Sequence, residues 1–316
     1  AEIADRFIDY SVESGPRSIS FDLGTQMVLK RASFAALGRF ATISGIELPE
    51  AFAGVGDLPT GVQMTVGEPL LGDTMAAVYK SRCCLVWFCN PAVTRIPDAH
   101  FFWEAKYNGT EVIAISPEFT PTALHSNHWV NVRPGTDTAL AMAMVDVILE
   151  EKLYDAAFVN EWTHGFAALA ERVQRYSPEW AAPITWVPAE KIRAAARLYA
   201  ATKPSMMEWG CAIEHTPNTI QTVRAISMLP ALTGNIDVPG GWVFGMKGLG
   251  RFPSLIENLT PEMNAKRLGA DRFKMLSGEG ADLPAAHIPT LLSAMRDGVP
   301  YPVKAFLVFG NNTLTT

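Results

Sequence analysis

The stretch CCLVWFCNPAVTRIPDAHFFWEAKYNGTEVIAISPEFTPTALHSNHWVNVRPGTD, residues 83–137, decides the fold of this chain. Its apolar runs predict three buried β-strands, at Cys83–Cys89, Glu111–Ser116 and His128–Val132, with a helix between the first two. The first strand stops at Asn90-Pro91, because proline cannot donate to a strand ladder, and a further helix opens at Asp137. Small polar loops at successive strand ends are typical of the nucleotide crevice of a doubly wound α/β sheet.

Length and composition describe a globular chain that can bury a large core. It has 316 residues, of which 48% are hydrophobic, so one large or two ordinary domains are expected. The 26 basic and 32 acidic residues give a net charge of -6, and without a basic run the sequence argues against nucleic acid as a partner. No run approaches the roughly 18 apolar residues that cross a bilayer, although a membrane-bound partner stays compatible with the sequence.

The four cysteines form no CxxC pair, and three of them, Cys83, Cys84 and Cys89, share one predicted buried strand. We therefore interpret these three as core thiols. A zinc site or an iron–sulfur cluster carried by this chain alone is not expected.

Two regions are predicted, with a boundary near Thr202. Residues 1–202 are predicted to form a Rossmann-like domain, in which residues 45–67 are a long loop rich in Gly and Pro. Residues 203–316 are predicted to form an incomplete second α/β domain, because residues 240–302 show little periodicity outside one helix. The chain opens in what reads as the tail of a helix and ends just after a strand, which predicts a fragment of a longer polypeptide.

The chain resembles, over most of its length, the dimethyl sulfoxide reductase family of molybdenum oxidoreductases that bind bis(molybdopterin guanine dinucleotide), and five segments carry the resemblance. They are CNPAVTRIPDAHFF at 89–102, ISPEFTPTA at 115–123, VRPGTDTALAMA at 132–143, HTPNTIQTVRAISMLPALTGNIDVPGG at 215–241 and FGNN at 309–312. The segment TRIPDAHFFWEAKYNG at 94–109 is most similar to one branch. That branch holds respiratory nitrate reductase alpha subunits, ethylbenzene dehydrogenase, dimethyl sulfide dehydrogenase and the perchlorate, chlorate and selenate reductases.

The resemblance implies cofactor-binding roles at the strand ends. Asn90 would donate its amide to a diphosphate, Glu118 would accept from ribose hydroxyls, and Asp137 would accept from the paired N–H donors of a guanine edge. Residues in the second region would face another copy of the cofactor. The full set of candidates is Asn90, Pro91, Thr94, Ser116, Glu118, Pro134, Gly135, Asp137, Gly210, Cys211, Gly310, Asn311 and Asn312. Taken singly, an Asn-Pro turn or an Asp at a helix start is more often structural.

The same resemblance implies a carboxylate ligand to the metal. In the nitrate reductase branch a loop carboxylate completes the coordination, and this chain carries Asp57-Leu58-Pro59 in the corresponding long loop. Four dithiolene sulfurs leave the metal electron-rich, and a hard carboxylate oxygen suits a high-valent ion that gains and loses an oxo group. A plain turn residue is the alternative for Asp57. Glu47, Glu50 and Glu68 are weaker ligand candidates, and no cysteine is placed to serve.

His215 lies near the position where relatives carry a histidine close to the pterin, so the resemblance implies a second catalytic residue there. A surface role is the equal alternative for a lone histidine in a polar loop. Arg95 and Arg133 are suited to phosphate, with pairing to a nearby acid as the equal alternative. The remaining histidines near the predicted sheet read as structural: His100, His125 and His128.

The resemblance implies the catalytic subunit of an enzyme of anaerobic respiration that performs oxygen-atom transfer or hydroxylation, inactive as this fragment alone. Its metal would be molybdenum, with tungsten as the alternative, and a 4Fe-4S cluster would lie on a missing N-terminal segment. Expected partners are a small-molecule substrate, an iron–sulfur electron-transfer subunit and, as a further candidate, a haem b or membrane-anchor subunit. The expected location is the periplasmic or cytoplasmic face of a membrane, as a soluble subunit.

Two alternatives stay open at this point. One is an NAD-dependent dehydrogenase, against which the lack of a GxGxxG motif after any predicted strand counts. The other is a non-catalytic relative that keeps the fold and has lost the metal.

Overall fold

The computed structural model describes residues 1–24, 30–49, 60–67, 72, 74–244, 259–274, 277–278 and 285–312. The chain divides into two compact units. Both ends of the chain form the first unit, Ala1–Leu58 with Leu249–Thr316, and the middle, Pro59–Gly248, forms the second.

Twenty helices and strands are numbered here in chain order within the described ranges. The strands are β1 Ile19–Leu23, β2 Cys83–Trp87, β3 Glu111–Ser116, β4 His128–Asn131, β5 Ser205–Trp209 and β6 Ala305–Phe309. The helices are α1 Glu2–Ser14, α2 Arg31–Ser44, α3 Thr60–Val66, α4 Pro91–Thr94, α5 Ile96–Tyr107, α6 Pro121–His125, α7 Asp137–Glu150, α8 Ala156–Trp162, α9 Phe166–Val173, α10 Pro178–Thr185, α11 Ala189–Ala201, α12 Thr219–Thr233, α13 Pro261–Ala265 and α14 Ile288–Asp297.

The middle unit is built on a parallel sheet of four strands in the order β4-β3-β2-β5. Every residue of β2 is buried, as expected for a parallel strand covered on both faces. Alternate residues face opposite cores: Leu85 and Trp87 pack with helices α7, α11 and α12, whereas Cys84 and Val86 pack with α5. The α/β class and the parallel sheet that the sequence predicts are therefore confirmed.

Strand order explains where a crevice opens. The chain adds β3 and β4 on one side of β2 and then returns to place β5 on its other side. The loops that follow β2 and β5 leave the sheet at one edge, because these strands are parallel and in register from Cys83–Ser205 to Trp87–Trp209. Such a switch point is where open α/β sheets bind ligands.

The unit formed by the chain ends has a parallel pair of its own, β1 with β6, in register from Ile19–Ala305 to Leu23–Phe309. Residues from α1 and α2, among them Tyr10 and Leu37, pack on this pair. The pair closes tightly at its end, since a Cβ at Gly24 would lie 1.9 Å from the Gly310 carbonyl oxygen.

Two features differ from the sequence-based expectations. The boundary placed near Thr202 falls inside the middle unit, because β5 hydrogen-bonds to β2 and continues the same sheet. Residues 45–67 are not all loop, because α3 occupies Thr60–Val66. No helix in the described ranges is long and apolar enough to cross a membrane.

Candidate cofactor-binding site

Asn90 follows β2 and is the N-cap of the short helix α4, whose first residue is Pro91. Its side chain does not cap that helix. Instead its Oδ1 accepts from the Thr122 hydroxyl at 2.6 Å, and the same hydroxyl accepts from the backbone N–H of Ala92 at 3.2 Å. The Thr94 hydroxyl donates to the Asn90 carbonyl oxygen at 2.9 Å, which closes the turn.

The loop after β3 is held by side chains of the sheet itself. The Ser116 hydroxyl donates to the Glu118 carbonyl oxygen at 2.8 Å, and the Trp129 indole donates to Ser116 at 3.2 Å. Glu118 itself is exposed, so its carboxylate is accessible to a ligand hydroxyl. Its role as a ribose acceptor stays a prediction.

Asp137 opens α7 and is only 2% exposed. Its Oδ1 accepts from the Trp87 indole at 2.8 Å, so the last residue of β2 orients the carboxylate. Burial raises the pKa of Asp137, and the indole hydrogen bond opposes that rise. The preceding Pro134 and Gly135 are exposed, and Gly135 has a φ of 78° with open space around it. The carboxylate keeps further lone pairs for a ligand N–H.

Gly210 and Cys211 follow β5 at the same sheet edge as Asn90. The Gly210 N–H donates to the Trp87 carbonyl oxygen at 2.9 Å. A Cβ at Gly210 would lie 2.0 Å from the Phe88 carbonyl oxygen, so only glycine permits this approach of the two strand ends. The sequence assigned these two residues to a separate second domain, whereas the structure places them beside β2.

The loop Gly310–Asn312 belongs to the other unit, where it follows β6. All three of its residues are exposed. The Asn311 amide donates to the Asp22 carboxylate at 2.7 Å, and its Oδ1 accepts from the Asn312 N–H at 2.8 Å. Contact between the loop Gly310–Asn312 and a cofactor stays a prediction.

Of the two candidate phosphate-binding arginines, Arg95 forms an ion pair with Glu208. Its guanidinium donates to the Glu208 carboxylate in a short contact and also to the Cys89 sulfur at 3.9 Å. Burial lowers the pKa of Arg95, but the charges of Glu208, Cys89 and Asp98 and the hydrogen bond to Glu208 together outweigh burial, so the net shift of the pKa is upward. Arg133 lies over the Trp186 ring, with its guanidinium carbon 5.2 Å from the ring centroid.

Glu214 is a site residue that the sequence-based analysis missed. It is 6% exposed, and its two carboxylate oxygens accept from the N–H groups of Gly61 at 2.7 Å and Val62 at 3.1 Å. The Thr219 hydroxyl donates to the same carboxylate at 2.8 Å. Glu214 thus caps α3 from the segment that carries the exposed His215. No local signal could reveal a cap that lies about 150 positions away in sequence.

The metal-ligand candidates are only partly described. Asp57, Glu50 and Glu68 lie outside the described residues. Glu47 is 1% exposed and already accepts from Arg17, from the Tyr301 hydroxyl and from the Leu268 N–H. Because these contacts occupy its carboxylate, Glu47 has a structural role and is not a metal ligand. Within the described ranges no three His, Cys, Asp or Glu side chains converge as a metal site.

The cysteines of β2 behave as core thiols. Cys83 and Cys84 are buried, and burial raises the pKa of Cys83 to about 12. A thiol with that pKa is rarely the thiolate that a metal requires. The interpretation from sequence is confirmed for Cys83 and Cys84, whereas Cys89 lies beyond the end of β2 and is only half-buried.

The donor set suits a phosphorylated purine. Asn90 offers an amide N–H that donates to no other described group, Asp137 offers a buried acceptor, and Gly210 lets the two strand ends approach closely. A doubly wound parallel sheet with such an edge is typical of α/β proteins that bind a nucleotide-containing cofactor there. The comparisons with known proteins then identify the family. The family model described as molybdopterin oxidoreductase matches residues 1–313, so the chain belongs to that family, which implies a molybdenum–pterin cofactor.

Relatives agree with this assignment. The chain is 41% identical over 163 residues to the alpha subunit of dimethylsulfide dehydrogenase of Rhodovulum sulfidophilum, a match that covers 51% of this chain and 18% of that relative. It is 40% identical to the perchlorate reductase alpha subunit of Dechloromonas aromatica over 163 residues, 51% of this chain and 17% of the relative. Both relatives are alpha subunits, which implies that they work with partner subunits.

A solved structure supports the fold. Acetylene hydratase from Pelobacter acetylenicus superposes with a TM-score of 0.73 at 26% identity, over 99% of this chain and 46% of that one. The chain therefore spans about half the length of this relative, and less of the two alpha subunits.

Proposed function

We propose that this chain is the cofactor-binding part of the catalytic subunit of a molybdenum oxidoreductase of anaerobic respiration. The proposal rests on the edge of the sheet that carries the Asn90 amide and the buried Asp137 carboxylate. The family match over residues 1–313 supports it. The proposed cofactor form is bis(molybdopterin guanine dinucleotide) with molybdenum, and tungsten is the alternative metal. Oxygen-atom transfer or hydroxylation is the reaction class.

In this proposal the residues of the chain bind and orient. Asn90 donates to the diphosphate, Glu118 accepts from ribose and Asp137 accepts from the guanine edge, with Gly210 at the same sheet edge as Asn90. When bound, the metal and its dithiolenes supply the redox chemistry, and the protein supplies position and electrostatics. His215 is itself exposed, and its imidazole is suited to an oxyanion or a pterin nitrogen.

Partners follow from the same proposal. A 4Fe-4S cluster on a segment beyond this chain and an iron–sulfur subunit carry electrons, and a haem b or membrane-anchor subunit is a further partner. In this proposal the complex lies on the periplasmic or cytoplasmic face of a membrane. Assays of the intact complex against nitrate, chlorate, selenate, dimethyl sulfide and an alkylbenzene identify the substrate and the direction of electron flow.

Metal and nucleotide analysis of the full-length protein tests the proposal. We expect molybdenum by elemental analysis, together with guanine nucleotide released from the cofactor after acid treatment. A protein that purifies with neither under cofactor-producing conditions would instead be the non-catalytic relative. NAD in place of guanine nucleotide would likewise contradict the proposal.

Asp57 is proposed as the carboxylate ligand of the metal. Asp57→Ala should abolish turnover while the pterin content stays at the wild-type level, because the ligand is lost and the cofactor contacts remain. Pterin fluorescence after oxidation and activity in the intact complex measure the two effects. Glu47→Gln serves as the control carboxylate, since Glu47 is committed to Arg17 and Tyr301. Normal turnover of Asp57→Ala would exclude the ligand role.

A further inference from the structure

We propose that Thr122 is a positioning residue for the cofactor diphosphate, because its hydroxyl caps helix α4 in place of Asn90 and orients the Asn90 amide. The proposal rests on the proposed function, in which Asn90 contacts the diphosphate.

The first step concerns the cap. An asparagine at an N-cap ordinarily accepts, through its own side-chain oxygen, from a backbone N–H two or three residues later. Asn90 is the N-cap of α4, yet its side chain makes no such bond. The N–H of Ala92 donates to the Thr122 hydroxyl instead, at 3.2 Å. Thr122 belongs to α6, in the connection between β3 and β4, so the cap of α4 is supplied by a side chain of a neighbouring connection.

The second step concerns the amide. A hydroxyl has one hydrogen to donate and two lone pairs. The Thr122 hydroxyl accepts from Ala92 and donates its hydrogen to Asn90 Oδ1 at 2.6 Å. This arrangement turns the oxygen of the amide toward Thr122 and the Nδ2 group away from it. No described group accepts a hydrogen bond from that Nδ2.

Orientation decides which ligand the amide can serve. With Oδ1 held by Thr122, Asn90 presents two N–H donors, which suit the oxygens of a diphosphate. The reversed amide would present Oδ1, which repels an anionic oxygen. The Thr122 hydroxyl therefore makes Asn90 favour an anionic ligand over a ligand that donates a hydrogen bond.

Thr122 is itself held rigidly. It is 1% exposed in α6, a helix whose start is capped by the Thr120 hydroxyl, which accepts from the Ala123 N–H at 3.1 Å. The Ser126 hydroxyl donates to the Thr122 carbonyl oxygen at 2.7 Å. These contacts hold the backbone at Thr122, and burial restricts the side chain whose hydroxyl orients Asn90.

The test is a titration of the cofactor-free full-length protein with GDP, which carries the guanine, ribose and diphosphate, and with guanosine, which lacks the diphosphate. We expect Thr122→Val to weaken GDP binding about 3- to 10-fold and to leave guanosine binding within twofold. Thr122→Ser keeps a hydroxyl and should restore GDP binding. Calorimetry gives the dissociation constants.

Thr110→Val is the matched control. Thr110 is also a buried threonine, 4% exposed, and its hydroxyl donates to the Ser81 carbonyl oxygen at 2.7 Å, at the other end of β3. Its GDP affinity should match the wild type. The positioning role is overturned if Thr122→Val binds GDP as tightly as Thr110→Val does. It is also overturned if Thr122→Val weakens guanosine binding as much as it weakens GDP binding.

A further variant and the wild type distinguish failure of the proposed function from failure of the Thr122 positioning role. Asn90→Ala should lose GDP affinity at least as strongly as Thr122→Val does. A wild-type protein that neither binds GDP nor contains guanine nucleotide overturns the proposed function and with it this inference. A wild type that binds GDP beside an unaffected Thr122→Val overturns the inference alone.

Discussion

Asp137 is a carboxylate that is only 2% exposed, and it accepts from the Trp87 indole without an ion pair to any described cation. Burial raises its pKa, so the folded protein holds the proton more tightly than the unfolded chain does. Stability from this group is therefore greatest below the unfolded value of about 3.9 and falls as pH rises through the folded pKa. At neutral pH the cofactor-free protein carries the full cost of the buried charge.

Asp137→Asn is predicted to stabilise the cofactor-free full-length protein at pH 7 and to weaken GDP binding about tenfold or more. The amide removes the charge and keeps an acceptor for Trp87, but it cannot accept from both N–H donors of guanine. Denaturant midpoints at pH 4 and pH 7 and GDP titrations measure the two effects.

Asp146→Asn is the control in the same helix. Asp146 is 6% exposed, and burial raises its pKa as well. We expect a gain in stability at pH 7 with unchanged GDP affinity. Loss of GDP affinity in both variants would argue against a specific guanine contact.

The sequence could predict that Asp137 starts a helix after a strand end, because PGTD before an apolar helix is a local pattern. It could not predict the Trp87 indole as its partner. Burial of Trp87 follows from the apolar run of β2, but which polar atom its N–H meets depends on the packing of α7 over the sheet.

At the scale of elements, α3 shows how a helix forms without a local signal. Its seven residues, TGVQMTV, contain two β-branched valines and a glycine and are poor helix formers. The two N–H groups near its start are satisfied by Glu214, and Gly61 has no room for a side chain because a Cβ would lie 2.6 Å from Val223. Tertiary contacts therefore stabilise α3, which explains why sequence periodicity predicted a loop.

Glu214→Gln is predicted to speed hydrogen exchange of the Gly61 and Val62 amides about tenfold or more. Gln offers one acceptor where the carboxylate offers two, and a bond to a charged group contributes about 1.5–3 kcal/mol. Exchange measured by mass spectrometry on peptides from residues 60–67 gives the effect.

The control for that experiment is Glu179→Gln, which removes a surface carboxylate paired with Arg193. Exchange over residues 60–67 should stay at the wild-type rate in this variant. Unchanged exchange in Glu214→Gln would mean that packing alone holds α3.

At the scale of the whole molecule, each unit has its own hydrophobic core. The cores of residues 59–248 draw on α3, the four-stranded sheet and the helices that cover it, and those of the other unit draw on both chain ends. Sequence patterns located β2, β3, β4 and the start of α7. They placed the boundary near Thr202 because a loop and a proline follow α11 there, whereas strand pairing across the sheet is a long-range property.

A polypeptide of residues 59–248 is predicted to fold by itself with one cooperative transition in urea. Its buried residues form a complete pair of cores on the two faces of one sheet. Ile148→Ala, at a position that is 0% exposed, should lower its stability by about 2–5 kcal/mol. Circular dichroism and fluorescence transitions that fail to coincide would contradict the prediction.

The pairing of β1 with β6 has a consequence for synthesis on the ribosome. Leu23 and its partner Phe309 emerge at very different moments, because the whole middle unit is translated between them. At about 5–20 residues per second, β1 waits roughly 15 to 60 seconds for its partner strand. During that interval its apolar face is unpaired while the middle unit is already free to fold. Nascent chains are thus most exposed to misassembly through β1, and a chaperone that shields the N-terminal segment would act in that window.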